Sequence, residues 1–116
     1  MKFYKHNDLI LLEIIKLNEG DNNIKELKPN TNDGAFEKHV PVVKINNNNV
    51  IVKVGEIEHP MEKEHYIMMI AIETNLGYYV KHLNYNDRPY AVFTLGSNER
   101  FIKAYEYCNI HSLWSN

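Results

Sequence analysis

At 116 residues, with 44% hydrophobic and 24% charged side chains, the chain has the length and balance of one globular domain with a short appendage. A formal charge of −2 provides no basic face, so neither nucleic acid nor an anionic membrane is an expected partner. The early apolar stretch from Leu9 to Leu17 is broken by Glu13 and Lys16, too short and too charged for a signal peptide or membrane span. The single cysteine, Cys108, excludes an intrachain disulfide and points to the cytoplasm.

Residues 1–36 differ in texture from the remainder of the chain. Phe3–Tyr4, Leu9–Leu12 and Ile14–Ile15 predict two short strands, with a turn at Asn18-Glu19-Gly20-Asp21. Lys28 to Gly34 is dense in turn formers and reads as a linker. Such an arm is too small for a core of its own, so it must pack on the main body, pair with another subunit or stay loosely ordered.

From Phe36 onward the pattern is strand-like. Strands are predicted at Val40–Ile45 and Val50–Val54 around an Asn46–Asn49 loop, then at Tyr66–Glu73, Tyr78–Leu83, Tyr90–Leu95 and Phe101–Tyr107. Short strands at this spacing, separated by turn residues and lacking helical periodicity, predict an all-β antiparallel sandwich.

Six histidines occur, at 6, 39, 59, 65, 82 and 111, and four of them have distinctive neighbours. His39 lies in Glu37-Lys38-His39-Val40-Pro41, His59 and His65 bracket a seven-residue stretch, and His111 closes Cys108-Asn109-Ile110-His111. Donor atoms on one metal ion lie within ~4 Å of each other. An extended strand would hold the side chains of residues 59 and 65 roughly 20 Å apart. Convergence therefore requires that segment to fold back as a loop, which Pro60 and the charged residues 62–64 favour. Cys108 and His111, an odd number apart, would face opposite sides of a strand, so the chain must turn after Cys108. Four imidazoles and one thiolate suit iron better than structural zinc, because they fill a square pyramid and leave one position open.

These residues carry a resemblance. Glu-Lys-His-Val-Pro at 37–41, Val-Gly-Glu at 54–56, His-Pro-Met-Glu at 59–62, Glu-His-Tyr-Ile at 64–67 and Cys-Asn-Ile-His-Ser-Leu-Trp at 108–114 resemble the superoxide reductases, including neelaredoxin and the catalytic domain of desulfoferrodoxin. The likeness runs from about residue 35 to 114 and implies an immunoglobulin-like sandwich over 36–116. It implies one non-haem iron held by His39, His59, His65 and His111 with Cys108 as axial ligand. It implies that Lys38 draws superoxide to the iron, that Glu37 closes the oxidised resting site, and that a small protein such as rubredoxin donates the electron. A dimer or tetramer is also implied. Residues 1–35, through Phe3-Tyr4-Lys5 and Glu26-Leu27-Lys28-Pro29, resemble a degenerate desulforedoxin-like arm, expected to hold no second metal because no cysteine remains in it, with His6 about where the first would stand. Ser112 departs from the family's usual glycine, which matters if the backbone there needs a positive φ.

Among the other residues, His6 and His82 are expected at the surface, Glu62, Lys63 and Glu64 in a solvated loop, and Met61, Met68 and Met69 as core filling. Trp114 and Tyr107 are expected to line the site. Two rivals keep the iron: a dismutating or peroxide-handling enzyme, and a sealed, non-catalytic electron-transfer module.

Overall fold

The fold is a computed structural model that describes residues 1–15 and 24–116; the turn predicted at residues 18–21 lies outside them. Its strands are β1 (Phe3–His6), β2 (Leu9–Leu12), β3 (Lys25–Leu27), β4 (Pro41–Asn46), β5 (Asn49–Val54), β6 (Ile67–Thr74), β7 (Gly77–His82), β8 (Tyr90–Thr94), β9 (Phe101–Cys108) and β10 (Ser112–Ser115), with one short helix, α1 (Phe36–His39). All pairings are antiparallel. The sandwich is formed by one sheet of order β4-β5-β8 and another of order β10-β9-β6-β7, the all-β, immunoglobulin-like arrangement predicted. A third sheet, β2-β1-β3, is the N-terminal arm.

Period-two alternation builds the main core. On β5, Val50, Val52 and Val54 are fully buried, and on β8 Ala91 and Phe93 point the same way. They meet Ile67, Ile70 and Ile72 of β6 and Ala104 and Cys108 of β9. Burial on β6 does not simply alternate, because this strand is covered on both faces. Its outward Ala71 joins Phe3, Tyr105 and Leu113 in a second core beneath the arm, with Met1, Leu12, Leu27 and Met69 packed around it. Burying a side chain such as Phe3, 3% exposed, contributes about 1.5–3 kcal/mol. Of the three fates open to the arm, packing on the body is the one adopted.

Local chemistry sets the turns. Asn47 adopts φ 55° in the tight β4–β5 hairpin, a conformation asparagine tolerates, so the predicted loop shrinks to residues 47–48. Asn7, at φ 53°, does the same between β1 and β2. Among its described residues the arm has three strands where two were predicted, and Ile14–Ile15 belong to none of them. The predicted linker is tied down by Asn30: its Nδ2 donates to the Ser115 carbonyl at 3.1 Å, and its Oδ1 accepts from Ser115 N–H at 2.8 Å.

Two further elements depart from the prediction, α1 with Glu37, Lys38 and His39 and β10 with Trp114. Residues 36–39 form α1 rather than extended chain; it stops because Val40, preceding Pro41, takes the extended conformation (ψ 122°). Strand β10 was not predicted, and it returns along β9 with Ser112 opposite Cys108. Ser112 sits at φ 65°, so the positive φ that would favour glycine is present at the entry to this hairpin's second strand.

Gly55 joins α1 to the end of β5. At φ 85° it brings its N–H to within 3.3 Å of the Val40 carbonyl, while Ile57 N–H reaches the Glu37 carbonyl at 2.9 Å. A Cβ there would lie 2.3 Å from the Ile57 carbonyl oxygen and 2.7 Å from that of Lys38, both rigid backbone atoms. Gly55→Ala is expected to destabilise the metal-free protein by about 2 kcal/mol or more, read from its denaturant midpoint. An unchanged midpoint would show that the Glu37–Lys38 turn is not held by this close approach.

Candidate metal centre

Five side chains from four segments converge at one end of the sandwich. His39 ends α1, His59 and His65 belong to the β5–β6 connection, Cys108 ends β9, and His111 closes the β9–β10 turn. One donor atom from each lies within 4.8 Å of all the others. The imidazole rings contact one another round a closed cycle: His39 to His59 at 4.7 Å between centroids, His59 to His65 at 4.7 Å, His65 to His111 at 5.1 Å and His111 to His39 at 4.7 Å. Cys108 Sγ stands 3.6 Å from His59 Nε2 and 3.7 Å from His111 Nδ1.

The connection folds back as its composition required. Glu62 and His65 exchange two backbone hydrogen bonds of 3.0 Å, closing a tight turn. Met61 packs on the main core, and its sulfur accepts from Ile67 N–H at 3.4 Å. Asn109 fastens this turn to the cysteine hairpin, since its Oδ1 accepts from Tyr66 N–H and its Nδ2 donates to the Glu64 carbonyl, both at 3.0 Å. Both chain neighbours of His65 are thus held by the residue next after Cys108.

Burial divides the centre into a closed and an open side. Cys108 is fully buried and His39 and His59 are each 2% exposed, whereas His65 and His111 are half-buried. Burial, reinforced by the neighbouring imidazoles, lowers the pKa of His39 to about 4. Burial also brings His59 to about 4, against the opposing hydrogen bond with the Pro60 carbonyl. His65 is lowered chiefly by burial and then by His111, with Glu62 opposing. These rings are therefore neutral near pH 7, with lone pairs available. The contact of His59 Nδ1 with the Pro60 carbonyl, 2.7 Å, places that ring's proton on Nδ1 and leaves Nε2 bare toward the sulfur. Burial pushes the Cys108 thiol up, while the backbone N–H groups of His111 and Ile110 act in the other direction.

This donor set fits a metal ion. His65 Nε2 is buried without a hydrogen-bond partner, as an imidazole nitrogen meant for a metal would be. Four imidazoles and a thiol turned toward one another are a donor set that a metal cation would satisfy together.

Lys38 and Glu37, the other two predicted site residues, lie exposed on α1. The Lys38 ammonium adds to the lowering of the His39, His59 and His65 pKa values, so its charge is felt inside the centre. No contact joins the Glu37 side chain to the imidazoles among the described residues; its backbone carbonyl holds Ile57. His6 and His82 are exposed, as expected, and stand outside the cluster. Trp114 lines the site, stacked on His39 at 4.8 Å and 13°, with Phe36 edge-on above it at 5.2 Å. Tyr107 does not: alternation along β9 turns it, with Tyr105, toward the arm. The same alternation supplies what the sequence reading missed. Glu106, two residues before Cys108, faces inward, fully buried, with its Oε1 3.5 Å from His39 Nδ1.

Comparison with known proteins agrees with the geometry. The desulfoferrodoxin family model matches residues 31–116. The desulfoferrodoxin of Syntrophotalea carbinolica is 47% identical over 90 residues, covering 78% of this chain and 70% of that protein. The crystal structure of the superoxide reductase from Treponema pallidum superposes with a TM-score of 0.83 at 32% identity, covering 99% of this chain and 97% of the other. The superoxide reductase (1Fe-SOR) from Giardia intestinalis gives 0.58 at 31% identity, covering 69% of this chain and 95% of the other. The first of these structural likenesses therefore extends through the arm. On the family match and these likenesses, the chain belongs to the desulfoferrodoxin family.

Proposed function

We propose that this protein is a superoxide reductase, taking superoxide, one electron and two protons to hydrogen peroxide at a mononuclear non-haem iron. The observation that carries this reading is the convergence of four imidazoles and one buried thiol, half-open on one side and biased by the Lys38 charge. His39, His59, His65, His111 and Cys108 would hold the iron, which supplies the single electron and binds an anion at its free position.

The chain's own residues do the rest. His39 and His59 close the inner side against water, and the buried Cys108 would donate electron density to the metal. Lys38 offers positive charge at the mouth of a chain whose net charge is −2, attracting a small anion locally rather than globally. It also orders the water that delivers protons to the departing peroxide. Glu37, exposed on the same turn, is assigned the carboxylate that closes the site after the electron has left. A small one-electron donor protein such as rubredoxin restores the ferrous state.

Three coarser assignments belong to the same reading. Residues 1–35 are a cysteine-free, desulforedoxin-like arm that holds no second metal, and 36–116 are the catalytic sandwich. The protein works in the cytoplasm; no helix among the described residues is long and apolar enough to cross a membrane. The chain self-associates as a dimer or tetramer, because β2 is an edge strand among the described residues, with Leu9 59% and Ile10 and Leu11 each 36% exposed.

Consumption of superoxide with reduced rubredoxin as electron source is expected to yield peroxide without oxygen; oxygen evolution would indicate a dismutase, and no consumption a sealed electron-transfer centre. Cys108→Ser is expected to abolish the visible thiolate-to-iron absorption of the oxidised protein. Lys38→Ala should keep that band and the iron while slowing superoxide consumption roughly 10-fold in pulse radiolysis. A band that survives without the thiol, or an unchanged rate without the lysine, would each remove the corresponding role. Light scattering is expected to give a mass of at least two chains, and a monomer at all concentrations would refute self-association.

A further inference from the structure

Glu106 poses a problem that the proposed chemistry does not solve. It is 0% exposed, on β9, and neither carboxylate oxygen has a hydrogen-bond partner among the described residues. Buried polar groups are nearly always paired, and a buried carboxylate is among the most costly to leave alone. The polar atom facing it is His39 Nδ1, at 3.5 Å, itself buried and without a hydrogen bond.

We propose that Glu106 is a positioning residue for His39, its carboxylate accepting the Nδ1–H of that imidazole so that the unprotonated Nε2 is presented to the iron. The inference rests on the ligand assignment proposed above. An imidazole that binds a metal through one nitrogen carries its proton on the other, and coordination polarises that N–H into a stronger donor. The two groups now 3.5 Å apart are the pair that this donor would join. Trp114, stacked on His39 at 13°, fixes the plane of the ring but not its direction within the plane. The carboxylate fixes the direction. His59, the other deeply buried imidazole, has the Pro60 carbonyl at 2.7 Å behind its own Nδ1. Each imidazole on the closed side thus has one acceptor at its rear, a backbone carbonyl for His59 and a side chain for His39. The role of Glu106 is therefore open to substitution as that of the Pro60 carbonyl is not.

The test is ferrous iron affinity, measured anaerobically by competition with a chelator on the intact chain. Glu106→Leu, which fills the space without an acceptor, is expected to weaken binding roughly 10–100-fold. Glu106→Gln, whose amide oxygen can still accept, is expected to recover most of that loss. In a His39→Ala background Glu106→Leu should cost nothing further. Equal affinity of Glu106→Leu and the parent would overturn the proposal, and so would the same loss in both backgrounds, which marks a merely structural residue. If His39→Ala alone leaves the affinity unchanged, the ligand assignment itself has failed and the proposal falls with it. Should Glu106→Leu not fold, the zinc-loaded parent protein decides by nuclear magnetic resonance. A downfield His39 Nδ1–H protected from solvent exchange supports the contact; a metal-bound Nδ1, or an Nδ1–H in fast exchange, overturns it.

Discussion

A thiol buried to zero exposure beneath four imidazoles is the constraint on which the rest of the molecule depends. Burial pushes Cys108 toward the neutral thiol and is the chief cause that lowers the pKa values of His39 and His59. A thiolate in such a place is stable only against a cation held at the same spot. The protein therefore does not need a charged cage to recruit the metal. It needs four rings and one sulfur fixed at the right separations, and the sandwich is the means of fixing them. Strand β9 delivers Cys108, the hairpin to β10 delivers His111, and the β5–β6 connection delivers His59 and His65.

The same division explains how an acidic chain handles an anion. Inner side and outer side differ in exposure: His39 and His59 face the core, His65 and His111 reach toward solvent. Lys38, one residue before the buried His39, is exposed, and its charge is felt at the buried rings. Four-residue helix α1 makes this possible, since it buries His39 while leaving Glu37 and Lys38 outside. An extended strand would have sent Lys38 and His39 to opposite faces of a sheet and separated the charge from the site.

How much of this was legible in the sequence depends on which physical rule governed each residue. Period-two patterns on β5 and β8 are written plainly, because one face is buried and the other is not. The five clustered side chains were singled out by the family resemblance, and the spacing and turn formers of residues 59–65 and 108–111 permit the convergence seen. Helix α1 was not, since four residues carry no periodicity, and its end depends on the extended preference of the residue before Pro41. Strand β10 was hidden for a related reason: the Cys108–His111 turn was visible, but Ser112–Ser115 is too short and too polar at its ends to announce a strand. Tyr107 was misplaced and Glu106 overlooked through one omission. Applying alternation outward from Cys108 assigns both at once, the tyrosine to the outer face and the glutamate to the inner.

The arm keeps its place through packing on the body. Sheet β2-β1-β3 has no cysteine, and what holds it is the apolar contact of Phe3 with Tyr105 at 5.4 Å, the second core around Ala71 and Leu113, and the Asn30 bonds to Ser115. Every one of those partners lies on β6, β9 or β10. The arm is thus anchored on the outer face of the very strands whose inner face carries Cys108 and Glu106, and whose far end places His111. Strands covered on both sides have little freedom to twist or slide, because either movement opens a gap in a packed layer. The outer sheet in this way stiffens the inner one, and the positions of the thiol and the carboxylate are set as much by the packing behind them as by the rings in front.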